Sequence, residues 1–160
     1  MPTLSDAEIR RVSDELLAAE KDLRPVAVLS ERFPGLTQEQ AYAIQLRTVQ
    51  SRLDAGDRIV GVKVAFTNRL IQQEFGMGEP AAGMLFESRL FMDGAAVPFD
   101  KLTRGMVEPE IGCVLAEDLK GPGVTVAMAL QALAGVIPAI EIVGMRFKDW
   151  KVTGPDVTAD

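Results

Sequence analysis

The stretch SRLDAGDRIVGVKVAF (51–66) decides the architecture, because the hydrophobic period changes inside it. Up to Gly56 the spacing is helical. From Arg58 to Phe66 it is two, with Val60, Val62, Val64 and Phe66 on one side and Ile59, Gly61, Lys63 and Ala65 on the other. Reading backwards, a helix begins at Thr37, where Gln40 completes a capping box; Ala41, Ile44 and Val49 mark its inner face, and Gly56 stops it. Residues 25–36 read as a connector punctuated by Pro25, Pro34 and Gly35. Before it, residues 5–21 form an amphipathic helix opened by a Ser5–Glu8 capping box, with Ile9, Val12, Leu16 and Leu17 at helical spacing.

Reading forwards, residues 68–75 suit a short helix closed by Gly76, and GMGEPAAG (76–83) reads as a loop. Met84–Leu90 and Ala95–Phe99 are expected to be strands joined around Asp93-Gly94, a hairpin signal. Met106–Leu115 is a further strand, which Pro109 places at an edge or beside a bulge. GPG (121–123) is a turn, Thr125 caps a helix to about Ala134, and Val136–Val143 reads as a buried strand. Helices come first and mostly strands follow, so the fold class is α+β. The expected division is a helical region over 1–57 and a β region over 58–160, within one domain.

Composition narrows the function. The chain has 160 residues and 48% hydrophobic content, enough for one real core. A net charge of −6 argues against nucleic acid or an anionic membrane as partner. No apolar run spans a bilayer, and MPTLSDAEIRR (1–11) lacks the apolar stretch of a signal peptide, so a cytoplasmic location is expected. Cys113 is the sole cysteine and is expected to be a buried small hydrophobe. There are 0 histidines, which removes His-based triads and zinc sites. Acid–base work is left to carboxylates, lysine, tyrosine or metal-activated water. Phe147 and Trp150 are expected at the surface.

Against that background three glutamates stand out. Glu108 and Glu110 sit two apart in a strand, so both carboxylates share one face. Such a pair is either a solvated face or a site whose repulsion a cation or a shared proton relieves. Glu141 lies in VIPAIEIVG (136–144), where a lone buried carboxylate is costly unless it is paired, protonated or bound to metal. A salt bridge to Arg146 or Lys148 is the alternative. Three converging glutamates make an all-oxygen site that suits Mg²⁺ or Mn²⁺ and leaves about three octahedral positions open. Lys63 is the charged residue of an otherwise apolar strand. It is an edge lysine that blunts aggregation, a lysine that snorkels to solvent, or a pocket cation for a substrate carboxylate or enolate oxygen.

GVKVAFTN (61–68), FGMGEPAAGMLF (75–86), VEPEIGCVL (107–115) and IPAIEIVGMRFKDW (137–150) together resemble the 2-oxopent-4-enoate hydratase and 4-oxalocrotonate decarboxylase family. That family has the wider fumarylacetoacetate hydrolase-like fold. The E-x-E strand, followed about thirty residues later by P-A-I-E, is the most specific part. The resemblance implies a mixed β-roll with flanking helices, incomplete at the C-terminus because relatives run on past the match to DVTAD (156–160). It implies Glu108, Glu110 and Glu141 as ligands of Mg²⁺ or Mn²⁺. It also implies Lys63 and Thr67 at the substrate, a small 2-oxo acid of aromatic meta-cleavage catabolism, and an oligomer or association with a related chain. Hydratases carry P-D-x-G where this chain has Pro80-Ala81-Ala82-Gly83, so Ala81 replaces an acid–base aspartate and leaves Glu79 as the nearby carboxyl. Decarboxylases lack that aspartate too, whereas Leu85-Phe86 and the stretch from Val143-Gly144 through Asp149-Trp150 look more like the hydratase branch. The expected activity is a metal-dependent lyase of hydratase type, with decarboxylation or a non-catalytic assembly partner as alternatives. Hydrolysis of the fumarylacetoacetate type, which resembles enzymes with a histidine base, is disfavoured.

Overall fold

The computed structural model describes residues 4–160; the first three residues of the stretch read as leaderless lie outside the described part. The chain divides into two compact units, Met1–Thr103 with Met145–Asp160, and Arg104–Gly144. Among the described residues no helix is long and apolar enough to cross a membrane.

In the first unit, α1 (Asp6–Asp22) and α3 (Gln38–Asp54) start where their capping boxes place them, at Ser5/Glu8 and Thr37/Gln40. Their inner faces supply Val12, Leu16, Ala41 and Ile44 to one core with Val28, Leu29, Met145, Phe147 and Ala159. Ser13 and Thr48 share a buried hydroxyl–hydroxyl hydrogen bond of 3.0 Å between the two helices, so neither oxygen is orphaned. The expected connector holds a short helix, α2 (Leu29–Arg32), because Leu29 is a core residue and Arg32 pairs with Glu15. Phe147 is fully buried, not superficial: Val26 pairs with it in a parallel bridge, donating from its backbone N–H to the Arg146 carbonyl and accepting at its own carbonyl from Lys148 N, both at 2.9 Å.

Strand β1 (Ile59–Ala65) pairs antiparallel with β2 (Ala81–Phe86), and α4 (Arg69–Glu74) lies between them in sequence. The predicted loop therefore ends earlier than Gly83. Strand β2 stops at Phe86, and no strand forms over 95–99. Asp93-Gly94 makes a turn without a hairpin, since Pro98 lacks an N–H and the segment ends in a 3₁₀ turn at Phe99–Lys101. An Arg58–Glu87 ion pair and a Ser88–Asp57 hydrogen bond of 2.5 Å close the end of the β1–β2 pair. The Arg58 guanidinium holds the Glu87 carboxyl below its ordinary value, and the Ser88 hydroxyl does the same for Asp57. Helix α6 (Gly154–Ala159) is capped by Thr153 and Asp156. Asp156 is fully buried and satisfied, accepting from Ser30 N at 2.8 Å and from Thr153 N and Oγ1 at 2.8 and 2.7 Å.

The second unit is β3 (Met106–Leu115) paired antiparallel with β4 (Leu133–Val143), with α5 (Val126–Gln131) in the connection. Helix α5 ends earlier than Ala134 because Leu133 and Gly135 enter the ladder opposite Leu115 and Val114. Strand β4 is not a buried strand: Val136, Ile137 and Ile140 are exposed. Cys113 is likewise exposed, opposite Val136.

Candidate metal centre

Register builds this site. Glu108 stands directly opposite Glu141, and Glu110 opposite Ala139. Directly paired residues share a sheet face, so Glu108, Glu110 and Glu141 lie on one side, with Val107, Pro109, Ile140 and Ile142 on the other. One carboxylate oxygen from each glutamate lies within 4.8 Å of the other two. Glu108 and Glu141 are half-buried and Glu110 is exposed. In the first unit Arg146 pairs with Asp160 at 2.5 Å and with Glu20 at 3.7 Å.

Like charges directly opposite in a sheet destabilise it. Three carboxylates this close lower their energy most by sharing a cation. The donor set is hard and anionic with no nitrogen or sulfur, which fits Mg²⁺, Mn²⁺ or Ca²⁺ and not a soft metal. The sequence alone did not single out the two residues beside the cluster. Gly112 follows on the same face opposite Ile137, and a Cβ at Gly112 would come within 2.8 Å of Ile137 Cγ1. Ile137 thus lies flat over Gly112 as an apolar flank to the carboxylates. The only sequence signal is a glycine inside a strand.

The remaining candidates belong to the first unit. Lys63 pairs with Gly83, and its stem runs over that glycine, where a Cβ would sit 3.4 Å from Lys63 Cγ. Lys63 faces the more covered side of β1, while Val62 and Val64 are exposed. Thr67 and Glu79 border one open depression of ≈ 600 Å³, with Arg69, Gln72, Gln73 and Met77. Ala81 is buried opposite Ala65, on the face that carries Lys63. Its backbone neighbour Ala82 is held by α3, donating to Tyr42 Oη at 3.0 Å and accepting from Gln45 Nε2 at 3.1 Å.

No family model matches the chain. It is 39% identical over 148 residues to a 2-keto-4-pentenoate hydratase of Paraburkholderia xenovorans (strain LB400), covering 92% of this chain and 55% of that protein. It is 38% identical over 153 residues to a 2-hydroxypent-2,4-dienoate hydratase of Pseudomonas putida, covering 95% of this chain and 69% of the relative. Among solved structures it is similar to 4-oxalocrotonate decarboxylase from Pseudomonas putida G7 complexed with magnesium and adipate. That match has a TM-score of 0.93 at 26% identity, over 99% of this chain and 60% of that one. The same decarboxylase complexed with calcium and acetate matches with a TM-score of 0.91. The chain thus spans little more than half the length of several proteins it matches.

Proposed function

The chain belongs to the 2-keto-4-pentenoate (2-hydroxypent-2,4-dienoate) hydratase family, and on that premise we propose that it is a divalent-metal-dependent lyase acting on small 2-oxo or 2-hydroxy dienoic acids. The observation that carries the proposal is the convergence of Glu108, Glu110 and Glu141 within 4.8 Å. These three carboxylates would hold Mg²⁺ or Mn²⁺. When bound, the ion supplies a Lewis acid that takes up negative charge from a chelating 2-oxo acid. Lys63 offers a cation to a substrate carboxylate or enolate oxygen, and the Thr67 hydroxyl binds the substrate. Glu79 is the carboxyl proposed to move protons in place of the missing acid at Ala81.

Hydration of the distal alkene is the first reading, supported by the named hydratases among the relatives. Decarboxylation is the second, favoured by Ala81 and by the decarboxylase fold match. Incubation with a 2-hydroxydienoate or an oxalocrotonate, in Mg²⁺ or in chelator, separates them. Loss of the diene absorbance without CO₂ is expected for a hydratase, release of CO₂ for a decarboxylase, and no Mg²⁺-dependent turnover would refute both. A homo-oligomer, or association with a related chain, belongs to the same proposal. It is supported by the exposed apolar face of Val107, Ile111 and Ile140, and light scattering at graded concentration tests it. A cytoplasmic location is likewise proposed and is tested by cell fractionation.

A further inference from the structure

Strand β1 ends at Ala65, and the next residue leaves the sheet in an unusual way. Phe66 has φ 57°, a left-handed conformation that a bulky side chain rarely adopts. Such a residue persists only where its surroundings over-determine it. Two contacts do so. Gln72, in the middle of α4, donates from Nε2 to the Phe66 carbonyl at 2.6 Å. The Phe66 ring packs on Phe75 with centroids 5.2 Å apart. The Gln72 backbone N–H also donates to the Asn68 carbonyl at 2.9 Å, and the Asn68 side chain accepts from Leu70 N at 2.8 Å. One residue therefore grips the carbonyls on both sides of Thr67. Gln72 also borders the same open depression as Thr67.

We propose that Gln72 is a positioning residue, whose side-chain amide locks the left-handed turn at Phe66 and so aims Thr67 at the substrate. The inference rests on the reading of Thr67 as substrate-binding. Had β1 continued as a strand, Thr67 would fall on the Lys63 face by alternation. The turn instead delivers it to the depression beside α4, immediately before Asn68, the N-cap of that helix.

Three readouts on the full chain test it. Amide exchange of Leu70, read without substrate, is expected to quicken about tenfold in Gln72→Ala, the effect of one lost neutral hydrogen bond. In steady-state kinetics with a 2-hydroxydienoate, Gln72→Ala is expected to raise KM about tenfold with kcat held within about threefold, the mark of lost uniform binding. Mere loss of folded protein would lower kcat and leave KM alone. In a Phe66→Gly background the same Gln72→Ala step is expected to raise KM by less than about threefold, because glycine adopts positive φ without help. A full tenfold step there would mean that the amide acts by another route, and would overturn the proposal. Unchanged Leu70 exchange would overturn it too, whatever the kinetics. A parent chain without turnover would instead refute the lyase reading and remove the substrate role, while the exchange result still judged the turn.

Discussion

Glu108→Gln should change stability in opposite directions with and without metal. Glu108 faces Glu141 across the ladder and lies two residues from Glu110, with all three ligand oxygens within 4.8 Å. At that separation two unit charges repel by about 0.9 kcal/mol in water, and by about 3.5 kcal/mol at an effective dielectric of 20. Taking the solvated limit, Glu108 carries two repulsions of about 1 kcal/mol each, reduced by about a third in 0.1 M salt. Glutamine keeps the shape and removes both, so in chelator the variant should be more stable by about 1 kcal/mol, or about 2–4 °C in Tm. In Mn²⁺ at a hundred times the parent's Kd, the parent gains about 2.7 kcal/mol by linkage. Loss of one of three anionic ligands should weaken binding at least about 100-fold, the upper end of what losing an outer partner costs. The variant then gains under about 0.5 kcal/mol. Melting by circular dichroism in EDTA and in Mn²⁺ should therefore show the two Tm values exchanging order. A variant less stable than the parent in EDTA, or one stabilised equally by Mn²⁺, would refute the reasoning.

Four further outcomes follow from the structure. Ala81→Asp puts a carboxyl on the Lys63 face of the β1–β2 pair in a buried position, where desolvation favours the neutral acid; hydration should rise at least about tenfold with a lower Tm, and unchanged turnover would count against the hydratase reading. Glu20→Ala leaves Arg52, Arg89 and Arg146 without their shared carboxylate, and urea titration should show a loss of about 2 kcal/mol, between the costs of exposed and buried pairs. Phe147→Ala empties a fully buried site and should cost about 3–5 kcal/mol in the same titration. Glu87, held below its ordinary 4.5 by Arg58, binds fewer protons folded than unfolded; its stabilisation is present above that value and is lost as pH falls through the folded one, so Glu87→Gln should flatten the acid limb of a Tm–pH curve.

Local chemistry made part of the fold legible. Ser5/Glu8 and Thr37/Gln40 opened helices where read, and the change of period after Gly56 marked β1. Tertiary pairing overrode local signals elsewhere. Leu133 and Ala134 continue a helical pattern, yet β4 takes them because β3 is long enough to pair Leu115 with Leu133, with Ala134 at the register shift before Gly135. Asp93-Gly94 carries the residues of a hairpin turn, but the segment after it offers no strand to pair. The glutamates follow the same division. Period two placed Glu108 and Glu110 on one face, whereas the register that brings Glu141 opposite Glu108 is a long-range property that spacing does not encode. The left-handed Phe66 gave no sequence signal, because its conformation is held by Gln72 and Phe75 rather than by its own preference.

The most direct test is calorimetric titration of the 160-residue chain with Mn²⁺, alone and with oxalate, a small chelator with the adjacent oxygens of a 2-oxo acid. The account expects one Mn²⁺ site per chain, tightened by oxalate and abolished by Glu141→Ala. A folded chain that binds no Mn²⁺, or binds it equally well after Glu141→Ala, would contradict the three-glutamate centre.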